Sequence, residues 1–224
     1  MSDGYPRRAQ VSKRRARNKI DKRPKRAPEG IVNGVTSKIW KKGSEAHGVA
    51  PAIILLNPKY ARNVGVAVRN ANNLGIKQVW FTGDRVEHDL AGRKRLPREE
   101  RMKGWKGVEI YQYDRPLEQF PSHVVPVSVE LNSGSVSLFE FEHPENAVYV
   151  FGPEDGAVTK PIRGLCKHFV VIPSHDCFNL AVATGIVLYD RRAKQAIKEG
   201  RPFVYPSDGV RSPGLVDTDL TSII

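Results

Sequence analysis

The sequence predicts an α/β domain with a mainly parallel sheet and flanking helices. Three observations carry that expectation. Apolar runs of strand length show no alternation, as in strands buried on both faces. Segments with helical apolar spacing lie between them. The order strand, turn, helix recurs along the chain, which is how parallel sheets are assembled.

The elements follow in order. Ala52–Leu56 is a continuous apolar run and reads as the first buried strand. Asn63 to Leu74 places Val64, Ala67, Val68, Ala71 and Leu74 on one helical face, and Gly75 stops it. Gln78–Thr82 is the next strand. Residues 83–106 are polar, with eight Lys/Arg, and read as a long loop or loop-helix insertion. Loops of that length inside compact domains are usually functional or mobile. Short strands follow at Val108–Tyr111, Val124–Val129, Ala147–Phe151 and Phe169–Ile172, with a short helix from Val158 to Leu165. Asn179 to Ala196 is the last long helix, with Leu180, Val182, Ala183, Ile186, Val187 and Tyr189 apolar. The chain then divides into a basic, largely disordered arm at 1–45, with a short ordered segment from Val35 to Trp40, a folded domain at 46–200, and a Pro- and Gly-containing tail at 201–224.

Composition narrows the class. Of the 224 residues 40% are hydrophobic, enough for a core, and no apolar run approaches the roughly 18–20 residues of a membrane span. The start is charged with no apolar stretch behind it, so no secretory signal is expected. Two cysteines, Cys166 and Cys177, are too few for a disulfide scaffold and form no C-x-x-C pair. With six histidines at no ligand spacing, no metal is expected, and a reducing, cytoplasmic setting fits best. Residues 1–42 hold 14 Lys/Arg and 3 Asp/Glu, whereas the remainder holds 22 and 21. The formal charge of +12 is therefore an N-terminal arm, carrying K-R-R-A-R and K-R-P-K-R. Such arms bind polyanions by counterion release. Charge alone leaves RNA, DNA and a solvated tail all open.

Three segments bring reactive or polar residues to strand ends, which face the ligand crevice of open α/β sheets. N-P-K-Y-A-R-N-V-G-V-A-V-R runs from Asn57 to Arg69 where the first strand turns into a helix. Asn63 can cap backbone N–H groups or bind a ligand, and Arg69 lies six residues on. V-F-G-P-E-D-G, Val150 to Gly156, exposes backbone groups after a strand but is neither a P-loop nor a G-x-G-x-x-G loop. V-I-P-S-H-D-C-F-N-L-A-V-A, Val171 to Ala183, ends a strand and starts a helix at Asn179, a favoured cap residue. Capped helices and ordinary turns fit each segment taken singly. His175 and Asp176 are adjacent, so their side chains point apart and read as loop residues. Cys177 has no evident base beside it. Three such loops on one sheet edge predict a cofactor pocket.

In order and spacing these segments resemble the SpoU/TrmH family of the SPOUT superfamily, over roughly Pro51 to Ala196. Asn63 and Arg69 match the family's first motif, with Asn57-Pro58 near its start. Gly152, Glu154 and Gly156 resemble the second, with a shorter Glu-to-Gly spacing. Ile172-Pro173 and Asn179 resemble the third, with Cys177-Phe178 where the family has Ser-Leu and a shorter loop before Asn179. The resemblance implies a C-terminal deep trefoil knot, an exception to the general absence of knots, and a homodimer. It implies S-adenosylmethionine held near Leu131, Gly152, Gly156, Ile172, Phe178 and Leu180, largely by backbone groups. It implies methyl transfer to a ribose 2′-hydroxyl of tRNA or rRNA, with Arg69, Asn63, Glu154 and Asn179 as the catalytic group.

The hydroxyl must lose its proton during attack. Arginine's pKa, above about 12, makes a neutral guanidine base costly. Arg69 is therefore expected to hold the target's phosphate and stabilise developing alkoxide charge. Asn63 and Asn179 would orient it, the ribose or Glu154, with Glu154 in a positioning role. Arg93, Lys94, Arg95, Arg98, Arg101 and Lys103 offer a basic loop to RNA. Trp105 and Tyr60 are candidate stacking partners for exposed bases, though core or rim packing fits them as well. The competing expectation is a catalytically silent RNA-binding or ribosome-assembly protein on the same fold. A conventional dinucleotide-type fold predicts a glycine-rich loop after the first strand, which Asn57 to Gly65 lacks.

Overall fold

The computed structural model describes residues 40–91, 107–132 and 134–200. Eight strands form one sheet: β1 (Lys41–Lys42), β2 (Ala52–Leu55), β3 (Gln78–Phe81), β4 (Glu109–Gln112), β5 (Val125–Val129), β6 (Val136–Ser137), β7 (Ala147–Phe151) and β8 (His168–Val171). Their order is β1-β4-β3-β2-β7-β5-β8-β6, and every neighbouring pair is parallel. The helices are α1 (Ala61–Asn73), α2 (Arg85–Leu90), α3 (Lys160–Arg163) and α4 (Leu180–Lys198). No described helix is long and apolar enough to cross a membrane.

Strand alternation sorts the core into two layers. Ile53, Leu55, Val79 and Phe81 face a layer shared with Val64, Ala67, Val68 and Ala71 of α1 and Leu180, Val187 and Leu188 of α4. Ala52, Ile54, Trp80, Val148 and Val150 face the other layer, with Tyr111, Phe120, Val124 and Val158. Both faces are covered, which is why β2 and β7 read as unbroken apolar runs. Trp80 is fully buried. Its ring stacks on Tyr111 at 4.4 Å between centroids and tilts against Phe120 at 5.5 Å, and its Nε1 donates to Gln78 Oε1 at 3.2 Å.

The structure departs from the sequence reading at several ends. The last residues assigned to the arm belong to the sheet: Lys41–Lys42 pairs with Tyr111 and Gln112 at its edge. Trp40 is buried beside Phe81 and donates from Nε1 to Gln112 Oε1 at 3.1 Å. A two-residue strand of lysines gives the helical and alternating templates nothing to match, and it also blunts the edge. Val136–Ser137, equally short, is a second strand that the sequence pattern does not predict. The predicted helix from Val158 to Leu165 contracts to Lys160–Arg163. Residues 83–106 contain the short helix α2, whereas Arg93, Lys94, Arg95, Arg98, Arg101, Lys103 and Trp105 lie outside the described residues. So do residues 1–39 and the tail 201–224.

At the amino end of the sheet a polar network joins the β6–β7 loop to the last turns of α4. Arg191 donates to Pro144 O (2.6 Å), Glu145 O (2.8 Å) and Tyr149 Oη (3.3 Å). Lys194 donates to Phe141 O at 3.1 Å and to Leu138 O, and pairs with Asp190 at 2.8 Å. His143, whose side chain is 4% exposed, lies 2.8 Å through Nε2 from Asp190 Oδ2 and 2.7 Å through Nδ1 from Tyr149 Oη. A carboxylate only accepts, so Nε2 carries the proton and Nδ1 accepts from the phenol. Burial pushes Tyr149 up to about 12, which keeps it a phenol.

Burial also holds His143 below its ordinary value, against the opposing pull of Asp190 and with help from Lys194 and Arg191. The unfolded chain then takes up this proton at a higher pH than the native one. Stability is therefore present above about pH 6.5 and declines as pH falls through that value, by at most about 1.4 kcal/mol per pH unit for one group. Urea unfolding between pH 7.5 and 5 should show this decline in the wild type and a flatter profile in His143→Gln. Equal profiles would remove His143 from the account.

Candidate functional site

The parallel neighbours β2, β7, β5 and β8 all release their following loops at the same carboxyl edge of the sheet. After β2 the chain turns sharply. Asn57 has a φ of 43° and its N–H donates to Thr82 Oγ1 at 2.8 Å. Gly83, at φ +71°, faces it so closely that a Cβ there would lie 2.3 Å from Asn57 Oδ1. Tyr60 is the N-cap of α1, and Asp89 Oδ2 accepts from the Ala61 N–H at 3.0 Å. Asn63 is therefore not the cap. It is the third residue of the helix and is buried, so its side chain is released for other contacts.

Those contacts join three loops. The Asn63 amide Nδ2 donates to Glu154 Oε1 at 2.6 Å, and its Oδ1 accepts from Asn179 Nδ2 at 3.3 Å. The other Glu154 oxygen accepts from the Lys59 N–H at 2.7 Å. Asn179 caps α4, its Oδ1 accepting from the Ala181 N–H at 2.9 Å. One residue from each of the three sequence segments thus enters a single chain of hydrogen bonds. Arg69 stands on the exposed side of α1, about 9 Å further along the axis than Asn63 by helical rise. The three-residue chain is made without it.

Sequence reading missed several supporting residues. Asn70 donates to Ala181 O (2.8 Å) and Thr184 Oγ1 (3.2 Å), tying α1 to the start of α4. Asp155 accepts a two-pronged contact from Arg85 at 2.9 and 2.7 Å, with Lys59 Nζ 3.7 Å away. The Arg85 guanidinium holds the Asp155 carboxyl below the usual carboxylate range. Glu130, one residue before Leu131 at the end of β5, meets Arg163 Nε at 2.8 Å. A charged residue at a strand end carries no periodic signal, so nothing in the sequence distinguished these from surface charges. Tyr60 is half-buried, with Lys59 Nζ 5.5 Å and Arg62 Cζ 4.9 Å from its ring centre.

The expected cofactor residues surround the same edge. Gly152 is packed against its own loop: a Cβ there would lie 3.1 Å from Val158 N. Gly156 is exposed and Ile172 half-buried just past β8. Leu131 and Phe178 keep 84% and 44% of their surface exposed, which leaves two large apolar side chains beside exposed backbone. Leu180 turns into the core, so only its backbone reaches this edge. His175, Asp176 and Cys177 are exposed on the β8–α4 loop, where Ser174 Oγ donates to Asp176 O at 2.8 Å.

Comparison with known proteins gives the family and the fold. The model of the SpoU rRNA methylase family matches residues 50–189, more than half of the chain. An uncharacterized tRNA/rRNA methyltransferase of Synechocystis sp. is 22% identical over 178 residues, covering 75% of this chain. The chain spans 62% of that relative's length. Among solved structures, a protein studied for 2-OH methylation of C/U34 on tRNA is 24% identical, with 67% of this chain and 97% of that one covered and a TM-score of 0.55. The SpoU methyltransferase AviRb of Streptomyces viridochromogenes, in complex with AdoMet, is 20% identical, with 64% and 57% covered and a TM-score of 0.53. At these identities the solved structures share the fold.

Proposed function

Because the chain belongs to the SpoU rRNA methylase family, we propose that it transfers a methyl group from S-adenosylmethionine to a ribose 2′-hydroxyl of tRNA or rRNA. The observation that carries this reading is the Glu154–Asn63–Asn179 chain, which fastens three loops at one sheet edge. The silent-scaffold alternative has no need of that arrangement.

The residues present fit the cofactor. Leu131 and Phe178 offer exposed apolar surface to a flat base, while the loops at Gly152–Gly156 and Ile172–Asn179 offer backbone donors and acceptors. When bound, S-adenosylmethionine supplies an electrophilic methyl on a sulfonium. The protein's own part is orientation and charge. Glu154 fixes the Asn63 amide and the Lys59 backbone, so the floor of the site is set before RNA arrives. The Arg69 guanidinium holds the target's phosphate and stabilises negative charge developing on the hydroxyl oxygen. The same reading carries the trefoil knot, a homodimer, a cytoplasmic setting, and a division into a basic RNA-binding arm, a catalytic domain to residue 200 and a tail at 201–224, with the arm assigned to 1–45 now ending before Trp40, which packs in the domain. It assigns RNA contact to Arg93, Lys94, Arg95, Arg98 and Arg101.

The test is methyl incorporation from labelled S-adenosylmethionine into total tRNA and rRNA, followed by nucleoside analysis. Ribose-methylated nucleosides are expected. Label in bases would overturn the 2′-hydroxyl target. Folded protein that methylates no RNA would favour the silent RNA-binding protein.

A further inference from the structure

The Gly152–Val158 loop closes on itself. A Cβ at Gly152 would lie 3.1 Å from Val158 N and 3.2 Å from Ala157 C, so the two ends of the loop touch. Where Val158 sits therefore decides where the Gly152 backbone sits. Val158 is in turn gripped on both polar groups. Its N–H donates to Glu130 Oε2 at 3.2 Å, and its carbonyl accepts from Arg163 Nη2 at 3.1 Å. The two grips are joined, since Arg163 Nη2 donates to Glu130 Oε2 at 3.2 Å, while Nε and Glu130 Oε1 stand 2.8 Å apart as an ion pair without hydrogen-bond alignment. The Glu130 side chain is only 9% exposed. It follows the end of β5, while Arg163 closes α3 in the segment between β7 and β8, so the clasp ties the end of β5 to the stretch that follows its neighbour β7. Neither residue belongs to the three segments that define the site.

We propose that the Glu130–Arg163 pair is the positioning device of the cofactor loop, holding Val158 and through it Gly152 in the shape that receives S-adenosylmethionine. The inference rests on the reading of that edge as the cofactor site. Its physical basis is geometric. A single guanidinium nitrogen, Arg163 Nη2, donates to the Glu130 carboxylate and to the Val158 carbonyl together, a planar placement that a lysine's point charge on a flexible stem does not reproduce. Glu130 and Arg163 act through Val158 and Gly152, so they are positioning residues.

Two variants separate positioning from bare stability. Arg163→Lys keeps the charge and loses the planar guanidinium. The double variant Glu130→Gln with Arg163→Met removes both charges, so no buried charge is left unpaired. Calorimetric titration of the full chain with S-adenosylmethionine should show affinity about tenfold weaker in both, with RNA affinity by filter binding within about twofold of wild type. Hydrogen exchange should accelerate at the amides of 152–158 while β2, β3 and β7 stay protected. Wild-type cofactor affinity in the folded double variant, or unchanged exchange in the loop, would overturn the proposal. A wild type that binds no S-adenosylmethionine would instead overturn the reading of the edge, and the exchange comparison would still decide whether the pair sets the loop.

Discussion

Glu154→Ala should lower the rate of methyl transfer about a hundredfold, with Glu154→Gln falling between it and the wild type. Glu154 accepts two hydrogen bonds from two different places, the Lys59 backbone at 2.7 Å and the Asn63 amide at 2.6 Å. Bonds to a carboxylate contribute about 1.5–3 kcal/mol each. Alanine removes both and frees Asn63 to rotate, and a displacement of about 1 Å in a positioned group is enough to cost a factor of about 100. Glutamine has one acceptor oxygen and one amide, so it can serve Lys59 or Asn63 but not both. Initial rates at saturating RNA and cofactor would measure the order. A Glu154→Ala enzyme with wild-type rate would show that the three-loop chain is dispensable for turnover.

The largest effect on stability is expected at Trp80→Ala, a loss of about 3–5 kcal/mol, or roughly 6–20 °C in Tm for a domain of this size. The ring is fully buried and fills the space between Tyr111 and Phe120. It also reaches Gly43, where a Cβ would lie 2.6 Å from its Cζ3. The glycine after β1 is thus matched to the tryptophan, and alanine at 80 leaves a cavity under the edge strand. Trp80→Phe keeps part of the stack and should lose less. Thermal unfolding followed by circular dichroism would decide, and a Trp80→Ala shift under about 3 °C would mean that the layer collapses around the gap.

Much of this was legible in the residues. Ala52–Leu55 and Ala147–Phe151 stand as neighbouring strands because a strand covered on both faces must be apolar throughout. Asn179 caps α4 as its residue type predicted. Asn63 carried the same cap preference yet sits inside α1, because Tyr60 takes the boundary and the Asn63 side chain is held by Glu154. That partner is 91 residues away, beyond what any local pattern encodes. Glu130, Asp155 and Asn70 were missed for the same reason: a single polar residue has no period, and its meaning depends on a partner from another loop.

The sheet order has a consequence for how the chain reaches this state. β2 pairs with β7, setting Ala52 beside Val148, and Asn179 meets Asn63 across 116 residues. Contacts this distant in sequence give a high contact order, and loop closure must precede the contacts that compensate it. During synthesis β2 can find β3 early, but its other edge stays open until β7 emerges. The hydrogen-bond chain that joins the three loops is therefore among the last things to form, and the half-made sheet is a species exposed to misassociation.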